Sequence, residues 1–243
     1  RDKDQFALQC MAAAVSVFDV VSLFTLQCLL EGLRQLGAAT SVNNAAALAD
    51  SLVQVLPVLL HLVSSATLCA CIVGSRTLPL LGAMCELAAR IPLPPAQPSG
   101  GSAGSPLSQV QPLVLIFMET ISAQQGLVLE HASQMVHCIL PTIAAFLPSN
   151  RIDVRLLALK SFVDICIMLL NDFYVFDPMA ESPSETTVLL EAVLCNRVLP
   201  TFPSLLGDEF PTPSYAFRLL ATLLSRGSRA AGTAVRELNL APQ

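Results

Sequence analysis

Two short stretches of sequence decide the fold. Residues 157–160 read Leu-Ala-Leu-Lys, and residues 215–218, which lie 58 positions later, read Tyr-Ala-Phe-Arg. Both stretches belong to apolar runs with helical spacing, and both place a small alanine before a large apolar residue and a cation. Such spacing is typical of a helix that buries one face against neighbouring helices. Because the pattern recurs, it predicts a helical unit that is repeated along the chain.

Three prolines extend this comparison. Pro57, Pro141 and Pro200 each follow a pair of apolar residues in a helical run. The first two are 84 residues apart, which is twice 42 and lies within the period of about 40–47 residues of HEAT and armadillo arrays. The second interval, 59 residues, exceeds one period by about the length of an acidic insertion. The sequence therefore predicts an all-α fold, an α-solenoid of about five armadillo/HEAT-like hairpins.

The helical periodicity also predicts the organisation of the chain. We expect residues 1–243 to form a single repeat domain, cut from a longer protein because the first residue is Arg1. A Pro/Gly/Ser-rich stretch at 91–107 predicts a flexible loop, and residues 172–184 predict a shorter insertion. The predicted helices cover residues 6–37, 48–63, 78–89, 108–124, 127–147, 153–170, 185–206, 213–225 and about 227–240.

Composition excludes several classes of protein. The chain is 53% hydrophobic and only 13% charged, whereas ordinary soluble domains carry about 25% charge. Disordered chains have the opposite composition, so disorder is excluded as the dominant state. A net charge of −5 argues against nucleic acid as a partner, because nucleic-acid binding needs a basic surface.

The high hydrophobicity also raises the possibility of a membrane protein. The two most apolar windows, residues 11–30 and 52–73, contain Asp19, Gln27, Pro57 and His61, and no Lys/Arg cluster flanks them. Buried helices explain the same pattern, so we expect no membrane span. A polytopic membrane protein is retained as an alternative.

Catalytic and metal-binding motifs are not recognisable in the sequence. His131 and His137 are six residues apart, which is not a spacing that places two ligands on one helix face. The eight cysteines mostly stand singly in apolar runs, which favours reduced, buried thiols and a cytosolic protein. No phosphate-binding loop or nucleophile elbow is present. We therefore expect no enzyme activity, no cofactor and no metal.

Four residues on the repeated helices are candidates for partner binding. Arg155, Lys160 and Arg218 are expected to project into solvent from the repeat ridges, with Tyr215 as an aromatic anchor or a core residue. A row of such cations along a groove suits an acidic partner, for example the acidic tails of tubulin. The alternative is that the cations only keep an apolar chain in solution. If they bind a partner, Arg155→Glu and Arg218→Glu should weaken capture and leave the melting temperature nearly unchanged.

The last hundred residues carry a family resemblance. Residues 198–220 read Val-Leu-Pro-Thr-Phe-Pro-Ser-Leu-Leu-Gly-Asp-Glu-Phe-Pro-Thr-Pro-Ser-Tyr-Ala-Phe-Arg-Leu-Leu, and residues 153–165 read Asp-Val-Arg-Leu-Leu-Ala-Leu-Lys-Ser-Phe-Val-Asp-Ile. This order of motifs resembles the C-terminal armadillo region of RUNKEL-type pseudokinases, which are relatives of the Fused and uncoordinated-like kinases. The likeness covers roughly residues 140–240. Phe217 stands where the family more often has Leu.

The resemblance implies a non-catalytic scaffold. Members of that group join a degenerate kinase domain to a helical array and are associated with microtubule structures. It implies a cytoplasmic protein at a flagellum, a cilium or another part of the microtubule cytoskeleton, with a Fused-type kinase and microtubule-associated proteins as partners. An armadillo/HEAT adaptor or regulatory subunit unrelated to kinases is the first alternative.

Overall fold

A computed structural model describes residues 2–92, 105–172, 174–177, 182–226 and 229–237 of the chain. Most of the predicted loop at 91–107 and part of the predicted insertion at 172–184 lie outside the described residues. In the described part of that insertion, Phe176 is buried and Val175 accepts a hydrogen bond from the Thr187 hydroxyl at 2.9 Å. This part of the insertion is therefore packed against the helices.

The described residues form helices and no strand, which confirms the predicted all-α class. Two π-turns and one 3₁₀ turn interrupt the later helices. In chain order the elements are α1 Asp2–Ala38, α2 Val42–Val63, α3 Ala66–Ile72, α4 Leu78–Ala89, α5 Pro106–Ser122, α6 Gln125–Glu130, α7 Ala132–Gln134, the π-turn Met135–Ile139, α8 Leu140–Ala144, α9 Ile152–Asn171, α10 Glu185–Val193, the π-turn Leu194–Val198, the 3₁₀ turn Leu199–Thr201, α11 Phe202–Leu206, α12 Thr212–Arg226 and α13 Arg229–Glu237.

The helices form two layers. In the first layer α2 packs against α5, α5 against α9, and α9 against α12. In the second layer α1 packs against α4, and α4 packs against the segment from α7 to α8. That segment packs in turn against α10 and the π-turn Leu194–Val198, and this π-turn packs against α13. The chain alternates between the layers, so the described residues form four stacked hairpins followed by α13. This arrangement is the helical-repeat solenoid that the sequence predicts.

The three prolines do not mark one repeat. Pro141 and Pro200 both lie in the second layer, and each stands two residues after the end of a π-turn. Pro57 lies inside α2, in the first layer. Since proline has no N–H to donate, an interrupted helix tolerates it well. The interval of 59 residues therefore relates equivalent positions, whereas the interval of 84 residues compares helices of different layers.

Close packing joins the hairpins. Ala158 of α9 and Ala216 of α12 are completely buried, as expected for the small residues of the repeated motif. In the second layer, a Cβ atom added to Gly82 of α4 would lie 2.5 Å from the carbonyl oxygen of Cys138. The absence of a side chain at Gly82 therefore lets α4 approach the first π-turn closely.

Two helical segments are long and apolar enough to cross a membrane by length and composition alone. These segments are Val42–Val63 and Glu185–Leu206 among the residues searched. Core helices of soluble proteins pass the same test, and no membrane span is established. The predicted window 52–73 is not continuous, because α2 ends at Val63 and α3 begins at Ala66.

Candidate interaction surface

Arg155 forms the most buried ion pair among the described residues. Its side chain is 12% exposed, and that of Asp208, in the loop between α11 and α12, is 10% exposed. Arg155 Nε donates to Asp208 Oδ2 at 2.8 Å, Nη2 donates to Oδ1, and Nη1 donates to the Ser149 carbonyl oxygen at 2.6 Å. The expectation that Arg155 projects into solvent is wrong, because its guanidinium joins two hairpins.

Lys160 is also paired with a neighbouring hairpin. Its ammonium group donates to Glu119 Oε1 of α5, and both side chains are only partly exposed. This hydrogen bond holds the pKa of Lys160 above its usual value, although burial acts in the opposite direction. Lys160 is therefore held at the contact between α5 and α9.

Arg218 repeats the arrangement one helix further along the stack. Its Nη1 donates to Asp164 Oδ1 of α9 at 3.0 Å, and about half of the Arg218 side chain is exposed. Arg218 and Lys160 occupy the matching positions of the two motifs, and each pairs with an acid on the preceding first-layer helix. Arg226 adds a contact to the same helix, since its Nε donates to Asn171 Oδ1 at 2.9 Å.

The predicted site cations therefore share a structural role. Each joins its own hairpin to an acidic residue of a neighbouring hairpin, and we call these three ion pairs the latches: Arg155–Asp208, Lys160–Glu119 and Arg218–Asp164. Tyr215 is partly buried and packs against the core. In Arg155→Glu the new carboxylate faces Asp208 in a nearly buried site, so we expect this variant to melt below the wild type, contrary to the expectation from the sequence. For Arg218→Glu a nearly unchanged melting temperature stays the prediction, because about half of the Arg218 side chain is exposed and such pairs contribute about 0–1 kcal/mol.

One side of α12 has no neighbour among the described residues. Phe217 is 56% exposed and Leu224 is 51% exposed, and Ala221 between them is exposed as well. We call these three residues the α12 face. Arg218 follows Phe217 in the sequence, and the exposed half of its side chain lies at the edge of the α12 face.

Comparison with α9 explains this exposure. A shift of 58 residues places Phe217, Ala221 and Leu224 at the positions of three completely buried residues of α9, namely Leu159, Val163 and Cys166. Helix α9 packs between α5 and α12, whereas α9 is the one first-layer helix beside α12 in the part of the chain that the structure describes. The α12 face is therefore a helix-packing surface that no described residue covers. Sequence reasoning missed this face, because Phe217 and Leu224 follow the same apolar spacing as the buried residues of α9.

Burial disfavours the thiolate form of three cysteines. Burial raises the pKa of Cys69 to about 11 and that of Cys85 to about 12, and it also raises the pKa of Cys166. Cys10 and Cys28 are exposed, and the structure contains no disulfide in the residues it describes. No group of three His, Cys, Asp or Glu suited to a metal ion occurs in this part of the chain.

Comparison with known proteins identifies the family. Residues 22–231 match the family described as serine/threonine-protein kinase ULK4-like, HEAT repeats. The chain belongs to this family. It is also 25% identical over 231 residues to the serine/threonine-protein kinase RUNKEL of Arabidopsis thaliana. No solved structure matches the chain.

This ULK4-like chain spans a small part of its relative's length. The alignment with RUNKEL covers 92% of this chain but only 16% of the relative. The matched family describes the HEAT-repeat part of such proteins, which is not itself a catalytic domain. The resemblance noted in the sequence is therefore confirmed at the level of a HEAT region. HEAT arrays generally mediate contacts between proteins.

Proposed function

We propose that this chain is a non-catalytic scaffold module that binds other proteins through its first layer, with the α12 face at the centre of the contact. The observation that carries the proposal is the exposure of Phe217 and Leu224 at positions that are completely buried one hairpin earlier. Exposed apolar side chains beside polar ones are typical of protein-binding sites.

The chemistry of the surface favours an amphipathic helix as the bound element. Phe217, Ala221 and Leu224 follow helical spacing with a small residue in the middle, which suits a helix laid along α12. The exposed portion of Arg218 offers a cation at the border, so an acidic residue beside the apolar stripe of the partner adds selectivity. Arg155 and Lys160 contribute indirectly, because their latches hold α9 and α12 in place.

The proposal extends to the longer protein that contains this chain, its location in the cell and its partners. The scaffold is part of a pseudokinase in the cytoplasm, associated with microtubules and with a flagellum or cilium where the cell has one. Its partners are a Fused-type kinase and microtubule-associated proteins. Support comes from the RUNKEL-type motifs at residues 153–165 and 198–220 and from the family of the HEAT region. Capture of a different set of partners would contradict this setting.

The test is capture of defined partners by the purified chain and by two variants. Phe217→Ser/Leu224→Ser removes the apolar side chains of the α12 face, and Val188→Ser removes a similarly exposed one from α10 as the control. Substitutions at such exposed positions change stability by about 0.5 kcal/mol or less. We expect at least tenfold weaker capture of a Fused-type kinase or a microtubule-associated protein by the double variant only. Equal capture by all three proteins would contradict the assignment of the α12 face.

A further inference from the structure

A serine or threonine precedes a proline at three places in the sequence, and the three dipeptides have different surroundings. They are Ser105-Pro106, Ser182-Pro183 and Thr212-Pro213. Proline restricts the residue before it to extended conformations, which is the form in which a protein kinase binds its substrate segment. Proline also has no N–H, so a kinase that offers no acceptor at this position leaves no donor unpaired. Each dipeptide is therefore a candidate substrate for a proline-directed kinase, and its surroundings decide whether the kinase can reach it.

The dipeptide at Ser182 lies in an exposed segment outside the helices. Ser182, Pro183 and Ser184 are all exposed. Ser184 has φ −64° and ψ 157°, so its backbone is extended, and helix α10 begins only at Glu185. The hydroxyl of Ser182 and the residues directly after it are therefore accessible in the conformation that a kinase binds.

Buried residues on both sides hold this segment at the surface of the stack. Before it, Phe176 is buried. After it, Thr187 is 5% exposed, and its hydroxyl donates to the Val175 carbonyl oxygen at 2.9 Å. The Thr187 N–H donates to Ser184 Oγ at 3.1 Å and so fixes the start of α10. Ser182 is thus exposed between two packed parts of the chain.

The other two dipeptides are less accessible. Thr212 is completely buried, so its hydroxyl meets a kinase only after unfolding. Ser105 is exposed, but Pro106 already belongs to α5, and the Ser105 carbonyl oxygen accepts the Ser108 N–H at 2.8 Å. Arg151 Nη1 donates to the Ser108 carbonyl oxygen at 2.7 Å and holds this turn against a neighbouring hairpin. Binding of Ser105 as an extended segment therefore requires the first turn of α5 to open.

We propose that Ser182 is a phosphorylation site for a proline-directed serine kinase. The Ser182 Oγ attacks the γ-phosphorus of ATP, and the bond between that phosphorus and its bridging oxygen breaks. ADP leaves, and the hydroxyl proton passes to the catalytic base of the kinase. The phosphate adds a charge of about −1.5 to −2 at pH 7, three residues before Glu185. The site is separate from the α12 face, so it does not depend on the binding function proposed above.

Phosphorylation of the whole folded chain by a purified cyclin-dependent kinase with Mg²⁺ and ATP tests the proposal. Mass spectrometry of proteolytic fragments gives the rate at each dipeptide. We expect Ser182 to be phosphorylated at least tenfold faster than Ser105, and Thr212 to remain unmodified. Equal rates at Ser182 and Ser105, or no phosphate on Ser182, would overturn the proposal.

Two variants and three peptides serve as controls. Ser182→Ala should lose the fast reaction. Pro183→Ala keeps the hydroxyl and should react at least tenfold more slowly, and circular dichroism shows whether it keeps its helical content. Free peptides that carry the three dipeptides should react at similar rates, because the fold no longer protects Ser105 and Thr212. An unchanged rate in Pro183→Ala, or the same order of rates in the peptides as in the folded chain, would contradict selection of Ser182 by the structure.

Discussion

Replacing Arg155 with Ala removes the cation from the most buried latch and leaves the carboxylate of Asp208 in a site where only 10% of its side chain is exposed. Removal of one partner from a buried ion pair costs about 3–5 kcal/mol, because the remaining charge has lost both water and its counter-ion. In a chain of this size each kcal/mol lowers the melting temperature by about 2–4 °C. We therefore expect Arg155→Ala to melt roughly 6–20 °C below the wild type.

A double-mutant cycle separates the ion pair from other effects of the substitution. Arg155→Ala/Asp208→Ala leaves no unpaired charge, so its loss of stability should be smaller than the sum of the two single losses by about 0.5–3 kcal/mol. Thermal and urea unfolding followed by circular dichroism give these free energies. Arg34→Ala is the matched control, since the Arg34–Glu31 pair is largely exposed and worth about 0.5 kcal/mol or less. If Arg155→Ala costs no more than Arg34→Ala, or if the cycle is additive, the latch is not the stabilising contact described.

Three further predictions concern packing and pH. Gly82→Ala should destabilise the chain by about 1–3 kcal/mol, because the new Cβ meets the Cys138 backbone. Gly126→Ala is the control and should be neutral or stabilising, because the space around Gly126 is open. The urea midpoints of the two variants distinguish these outcomes. Ala158→Leu should overpack the completely buried motif position at a similar cost, and an unchanged urea midpoint would contradict that packing. Burial acts to raise the pKa of Asp153, but the hydrogen bond and charge of Arg151, together with backbone hydrogen bonds at Asp153 and Val154, lower it. The resulting stabilisation is present above the unfolded pKa of about 3.9 and is lost as pH falls through the lower folded value, so thermal melts of Asp153→Asn should show a weaker pH dependence in that range.

Local features of the fold were predictable because they depend on neighbouring residues. The spacing of apolar residues placed a helix at 153–170, where the structure has Ile152–Asn171, and another at 213–225, where it has Thr212–Arg226. Helix α3, which has seven residues, was missed because so short a segment barely shows a period. The π-turns were also missed, since the apolar pattern continues through them without a break.

Features that depend on the path of the chain were not predictable from spacing. Arg155 and Asp208 are 53 residues apart, and nothing near Arg155 in the sequence indicates that an acid from the next hairpin covers it. The same holds for Lys160 and Glu119, which are 41 residues apart. The sequence pattern also grouped Pro57 with Pro141 and Pro200, although Pro57 lies in the first layer and the other two lie in the second. The candidate cations were correctly located on the repeated helices. Their exposure could not be predicted, because it depends on acidic residues of neighbouring hairpins that lie near them only in the folded stack.

Site-specific photo-cross-linking tests the central claim, that this HEAT array binds proteins through the α12 face. A benzoyl-phenylalanine at position 221 replaces the exposed Ala221 between Phe217 and Leu224, and the same group at position 188 on α10 is the control. Irradiation in the presence of a Fused-type kinase or a microtubule-associated protein should link the partner to position 221 and not to position 188. Linkage from position 188 alone, or equal linkage from both positions, would contradict the account.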